Sequence, residues 1–251
     1  MRKTNRRQGS VLSTQRRSKR AETQYRTSLS QVAREIGAII NQHYDGSNDS
    51  VLDIQQALAD YSELIESWAR RVATKFVDTV SQDNARLWQQ HSHEMSRELK
   101  QLIAQAPVGD VMQSIVHEQI KYIKSLPIEA ADRVYDIQNR AIEAMVNGER
   151  PEHFTAMIAD SGNVTASRAK MIARTELGRA TQALTQSRAL AIGSTGYIWR
   201  TANDGDVRHS HKKLEGQFID WHNPPTLDGM IGHAGALPNC RCYCEVSFSD
   251  S

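Results

Sequence analysis

Between Leu29 and Ile192 the apolar residues recur at helical spacing, and the polar ones fill the gaps. The clearest stretch is Val51 to Gln90, where Leu58, Tyr61, Ile65, Trp68 and Val72 follow one another at intervals of three or four. That is the seam one helix shows another, with Asp49 or Ser50 as its cap and Glu63, Glu66, Arg70 and Arg71 left in water. The pattern predicts one helix of more than 40 residues here, or two in tandem. Pro107 and Gly109 interrupt it. A helix carrying Met112, Val116, Ile120 and Ile123 should follow, then another from Glu129 to Val146 with Val134, Ile137, Ala141 and Met145 inward. A short helix near 152–160 leads through Ser161-Gly162-Asn163 to a long Ala-rich helix, capped by Asn163 or Thr165 and ending at Gly193.

Past Gly193 the periodicity stops. Seven of the 14 glycines, Gly193 included, and three of the six prolines fall in the last 59 residues, and β-prone pieces replace helices: Tyr197–Thr201, Gln217–Ile219 and Tyr243–Phe248. The expected fold is therefore mainly α, an elongated helical body followed by a small α+β C-terminal module with short antiparallel strands. The chain divides into residues 1–26, a helical body over 27–160 and a module over 161–249, with the 165–192 helix as the bridge.

Charge changes the picture at one end only. Residues 1–26 hold nine basic groups and one acid, a formal charge of +8 in a chain whose total is +2, so the other 225 residues carry −6. Val11 and Leu12 are the only apolar residues before Tyr25 apart from Met1 and Ala21, too few for the core of a secretory signal, and no apolar run is long enough to cross a bilayer. Arg2, Lys3, Arg6, Arg7, Arg16, Arg17, Lys19 and Arg20 read as a disordered basic arm. Its partner would be double-stranded DNA, bound without sequence preference through phosphate neutralisation, or an acidic protein surface.

The candidate chemistry lies at the other end. Four of nine histidines (His209, His211, His222, His233) occupy 25 residues, and all three cysteines (Cys240, Cys242, Cys244) follow at alternate positions. Alternation along a strand puts the three thiols on one side, and His209 and His211 on one side of their own segment, so two such edges meeting would suit a tetrahedral zinc ion. The spacing differs from that of a zinc finger, and the other reading is ordinary burial of small apolar thiols. The same stretch offers a metal-dependent nuclease: His209 or His211 to activate water and Asn223 to orient it. Against that stands a β-turn at Asn203-Asp204-Gly205 followed by a polar loop. A solvated helix face accounts for Lys170 and Arg174; the alternative is that Arg174-Thr175-Glu176 reaches into the C-terminal module.

Taken in order, Ile172-Ala173-Arg174-Thr175-Glu176, Trp199, Asp206-Val207-Arg208, His211-Lys212-Lys213-Leu214-Glu215-Gly216 and Pro238-Asn239-Cys240-Arg241-Cys242 resemble the phage Mu F-like family of minor head, or head morphogenesis, proteins. The resemblance covers residues 130–248. It implies a non-catalytic, few-copy protein of the virion, inside the capsid, present in host cytoplasm during assembly. It further implies association with portal or capsid protein and a part in head morphogenesis and in DNA packaging or ejection, with no membrane partner or small-molecule substrate. His211, Cys240 and Cys242 fall on polar positions the family shares, and Arg174, Thr175, Glu176, Asp206, Arg208, Leu214, Gly216, Pro238 and Asn239 belong to the family motif. His209, Cys244 and the insertion holding His233 are individual to this chain.

Overall fold

The computed structural model describes residues 10–13, 18–91, 95–147 and 152–248. In chain order the elements are β1 (Ser10–Ser13), α1 (Lys19–His43), α2 (Asn48–Leu64), α3 (Glu66–His91), α4 (Arg97–Ala104), α5 (Val108–Val146), α6 (Glu152–Ala159), α7 (Ser161–Ala191), β2 (Gly196–Arg200), α8 (His209–Lys212), β3 (Phe218–Asp220), β4 (Thr226–Leu227), β5 (Met230–Ile231) and β6 (Tyr243–Phe248). The fold is mainly α with a small C-terminal region of short antiparallel strands. It forms two compact units: a helical unit of Arg20–Phe76 and Val116–Arg174, and a sheet unit that takes in β1, Val77–Ile115 and the chain from Thr175. The units interleave along the sequence, where the reading above expected consecutive segments, because the divisions fall inside the long helices α3, α5 and α7.

In the helical unit, α1 buries Ala21, Tyr25, Leu29, Val32, Ala33, Ile36 and Ile40, a stripe repeating every three or four residues. Ser47 caps α2, its Oγ accepting the Ser50 N–H. The tandem alternative holds for 51–90, with Ile65 as the joint. The buried row along α2 and the start of α3 is Leu58, Ser62, Ile65, Ala69, Ala73 and Phe76, while Tyr61, Trp68 and Val72 are half-buried. Small side chains hold the centre of this contact and the large ones flank it. Ser62 satisfies its hydroxyl on the Lys124 carbonyl at 2.9 Å. Tyr25 stacks on Phe76 and donates to the Gln119 side-chain carbonyl at 2.9 Å. At Gly162 an added Cβ would come within 2.9 Å of the Gly37 Cα, so α7 and α1 touch backbone to backbone there.

One expected break is absent and another is shifted. α5 runs unbroken through Pro127, which removes one backbone hydrogen bond that burial of Ile123, Leu126, Ala130 and Ala131 around it outweighs. α7 opens at Ser161, ahead of the expected caps, because the Asp160 carbonyl accepts from both Asn163 and Val164. Met145 is half-exposed beside the end of α5, not inward. The end of α7 behaves as read: Gly193 has φ +75, with Ser194 N–H bonded to the Ala189 carbonyl and Gly193 N–H to that of Leu190, a Schellman closure.

The sheet order is β1-β6-β2-β3, antiparallel throughout. Pairing Tyr197 with Val246 and Trp199 with Cys244 sets these side chains in one core with Trp88, Ile192 and Trp221. A Cβ on Gly196 would lie 2.3 Å from the Ile219 carbonyl oxygen, so only glycine lets β3 approach β2 here. The two-residue hairpin forms at Asp228-Gly229, both at positive φ, joining β4 to β5. Asn203-Asp204-Gly205, where hairpin chemistry was expected, leads instead into α8.

The N-terminal arm is only partly as expected. Ser10–Ser13 is a strand, and α1 begins at Lys19, so neither segment is disordered. The strand spans the Val11-Leu12 pair, and Glu22 in the first turn of α1 offsets the cations there. Lys19 and Arg20 are exposed in that turn, whereas Arg2, Lys3, Arg6, Arg7, Arg16 and Arg17 lie outside the described residues.

Candidate functional site

Three turns of backbone build the site in the sheet unit. The loop from Asn203 is held by Arg241, which pairs with Asp204 at 2.8 Å and Asp206 at 3.1 Å. It delivers the chain to α8, a single helical turn starting after Arg208. Positions two apart in a helix face nearly opposite ways, so His211 is buried and His209 is exposed. This corrects the expectation that both histidines serve one ion: they stand on a helix, not on an alternating strand. On the other side, Asn239 takes φ +55, and its N–H is received by the Thr175 hydroxyl at 3.1 Å. The extended run Cys240-Arg241-Cys242 then points both sulfurs inward and the arginine outward, before β6 begins.

The Cys240 and Cys242 sulfurs lie 3.4 and 3.5 Å from His211 Nδ1. The three ligand atoms fall within 4.8 Å of one another, and all three residues are buried. Bonds of about 2.3 Å to sulfur and about 2.0 Å to nitrogen in a tetrahedron separate unlike ligands by roughly 3.5 Å, which is the spacing found. The group is thus a buried His/Cys/Cys set able to hold a metal ion. Cys242 donates its thiol to Cys240 and draws the latter well below the ordinary thiol range; burial opposes this, while the N–H groups of Cys242 and Gly235 and the His211 imidazole reinforce it. The thiolate is the form that ligates. His211 Nε2 is buried with no hydrogen-bond partner among the described residues, and the ring sits edge-on to Trp199.

Cys244 is not part of the set. Its thiol donates to the Ala234 carbonyl at 3.8 Å, one step further along β6. His233 belongs to a separate aromatic cluster: Nδ1 meets the Tyr197 hydroxyl at 3.2 Å, that hydroxyl also accepts the Ala234 N–H, and Trp221 packs edge-on. Burial lowers the pKa of His233 and raises that of Tyr197, the neighbouring thiols adding to the latter. His222 and Asn223 are exposed, so the nuclease trio of His209, His211 and Asn223 has two members at the surface and one in the core.

The motif residues that sequence reasoning could not assign form the frame around the set. Arg208 Nη2 donates to the Pro238 carbonyl at 2.6 Å, tying α8 to the cysteine loop, and its Nη1 is buried without a partner among the described residues. Glu176, almost fully buried, pairs with Arg179 at 3.0 Å, and Arg179 Nε donates to the Ala236 carbonyl at 2.9 Å. Arg174 is exposed, so of the Arg-Thr-Glu segment it is Thr175 and Glu176 that face the module. Gly216, at φ +75, donates its N–H to the Trp199 carbonyl, and Leu214 packs against the core. Glu215 accepts from the Thr201 N–H at 2.6 Å, the Thr201 hydroxyl at 2.7 Å and Arg200 at 3.2 Å. Burial pushes its pKa up, but these three donors outweigh burial and hold the carboxyl below its usual range.

Comparison with known proteins agrees with this frame. A protein family described as phage Mu protein F like matches residues 135–245, a span that includes Thr175, Glu176, Arg208, His211, Cys240 and Cys242. An uncharacterized protein of Haemophilus influenzae is 31% identical over 178 residues, covering 70% of this chain and 38% of the relative. The minor head protein GP7 of Bacillus phage SPP1 is 23% identical over 206 residues, 77% of this chain and 65% of that one. An NAD(+)–arginine ADP-ribosyltransferase of Enterococcus faecalis is 24% identical over 242 residues, 80% of this chain and 50% of the relative. The chain thus spans between about two fifths and two thirds of the length of these relatives. No solved structure matches it. The phage Mu protein F like match falls on residues 135–245, the part that builds the frame and carries the His/Cys/Cys set.

Proposed function

We propose that the protein is a minor head protein of a tailed phage or prophage, carried inside the capsid at the portal vertex. It acts without catalysis in head morphogenesis and in DNA packaging or ejection. The observation that supports this most is the family match over residues 135–245 together with likeness to a phage minor head protein over 77% of the chain. The site's geometry favours a structural role: the family-motif residues spend their polar groups on one another and on backbone carbonyls, and the His/Cys/Cys set is shut away from solvent.

His211, Cys240 and Cys242 would hold a zinc ion, and the ion would supply a cross-link between α8 and the loop before β6. The basic residues Arg2, Lys3, Arg6, Arg7, Arg16, Arg17, Lys19 and Arg20 meet encapsidated double-stranded DNA through phosphate contacts, without reading sequence.

Quantitative mass spectrometry of purified procapsids and of procapsids lacking portal tests the location. The expected result is a few copies per particle that vanish with the portal; absence from intact particles overturns the proposal. Incubation of the purified protein with plasmid and Mg²⁺, Mn²⁺ or Zn²⁺ tests the non-catalytic role. Intact plasmid is expected, and cleavage that is lost in His209→Ala and Asn223→Ala proteins would establish the nuclease instead.

A further inference from the structure

A second site lies in the sheet unit, apart from the cysteines. A cavity of about 380 Å³ is lined by Ala85, Trp88 and Gln89 of α3, Lys100, Ile103 and Ala104 of α4, Val108 of α5 and Arg188 of α7. Its walls are mostly apolar, and its charged groups are both cations. No carboxylate is among the lining residues that are described.

Arg188 is the feature that needs a ligand. The residue is only 5% exposed, yet no carboxylate of the described residues forms an ion pair with it. Nη1 donates to the Asn84 side-chain oxygen, and Asn84 is locked in that orientation by donating to the Thr185 hydroxyl at 2.9 Å. Burial without a counter-charge lowers the guanidinium's pKa. A buried arginine ordinarily has an anion beside it, because desolvating the charge is expensive and the neutral form is out of reach. Here one face of that guanidinium is braced by a neutral amide and the residue opens on a cavity.

We propose that this cavity binds an amphipathic monocarboxylate, with the carboxylate on Arg188 and the apolar body between Trp88, Ile103, Ala104 and Val108. A planar guanidinium pairs with a carboxylate through two parallel hydrogen bonds. Lys100 at the exposed rim adds attraction and repels cations. A polyphosphate would leave most of its oxygens against apolar wall, and a neutral hydrocarbon would leave the arginine uncompensated. The volume is at the lower end of the range of about 300–1,000 Å³ typical of small-molecule sites.

Titration of the full chain with octanoate, octylammonium and octanol, followed by calorimetry, tests this directly. Octanoate is expected to bind at least about tenfold more tightly than either analogue, the ratio that one charged hydrogen-bonded contact provides. Arg188→Gln should erase the ratio. Because that variant alters a buried network, Ala104→Phe serves as the second arm: it fills the cavity from an exposed position, leaves Arg188 in place, and should abolish octanoate binding with the circular dichroism spectrum unchanged. Equal binding of the three probes, no binding of octanoate, or undiminished octanoate binding by Ala104→Phe overturns the proposal.

Discussion

The two units reach stability by different chemistry. In the helical unit, Leu29, Ile36, Ile40, Ile54 and Leu58 are wholly buried, the Tyr25–Gln119 pair inside is neutral, and ion pairs such as Lys124–Glu63 and Arg168–Glu129 stand toward the surface. In the sheet unit the core is aromatic and sulfur-rich, and short strands are joined by loops that rest on Arg208, Glu176, Arg179, Arg200 and Glu215. Aliphatic helix packing is local, additive and forgiving of similar substitutions. A loop fixed by a few buried polar contacts is specified by residues far apart in sequence, and each loss leaves a partner unsatisfied.

The largest test of that difference removes the ligand set. Chelation, or Cys240→Ser, is expected to strip metal by elemental analysis and to destabilise the sheet unit by at least about 4 kcal/mol. Hydrogen exchange should rise across α8, the cysteine loop and β6 while α1 and α2 stay protected. A protein purified without metal, with protection unchanged in Cys240→Ser, would reduce the sulfurs to apolar filling.

Next comes Leu58→Ala, which opens a cavity in the aliphatic core and should cost about 3 kcal/mol in denaturant unfolding, with metal content unaltered. Glu215→Gln should cost less, about 1 kcal/mol, since the side chain is 43% exposed and solvent screens the pairing with Arg200. Its carboxyl is held below the usual range, so its contribution is complete above the unfolded-state pKa and fades as pH falls through the folded one. Acid unfolding of Glu215→Gln should lack that part of the transition.

The smallest effect expected is a slope. Burial lowers the His233 pKa, so the folded protein takes up the proton less readily than the unfolded chain does. The stabilisation is whole above about pH 6.5, the unfolded value, and declines as pH falls through the folded one. Melting temperatures between pH 7.5 and 5.5 should fall less in His233→Asn than in the parent.

The same contrast explains what was legible in the sequence. Helices appear through their period, and α2, α3 and α7 stand close to where it puts them. The seam of α2 and α3 was displaced toward Ser62, Ala69 and Ala73 because periodicity favours large side chains, whereas close contact between helices selects small ones. Continuity through Pro127 depends on tertiary burial, which no local rule sees. At the site, alternation of the cysteines was readable, and the pairing of Cys240 and Cys242 with His211 follows it. The exclusion of His209 was not, since it depends on a four-residue helix with no side-chain cap. Cavity residues Arg188 and Lys100, and Asn84 beside them, carried no signal at all: a lone arginine in an Ala-rich helix looks like a solvated face, and only the lack of an acid paired with it among the described residues marks it out.

The strand Ser10–Ser13 gives the N-terminal segment a second physical meaning. It pairs along β6 from Ser10 with Phe248 to Ser13 with Glu245, and so forms one border of the sheet. A chain shortened to begin at Ser18 would lose six of the nine basic residues of its first 26 and also strip that border, leaving β6 with a row of unanswered N–H and C=O groups. Such a protein is expected to self-associate through sheet extension as well as lose the polyanion contacts proposed for the basic residues. A truncation made to measure DNA binding would then mix two effects, and replacing the cations while keeping Ser10–Ser13 is the cleaner way to separate them.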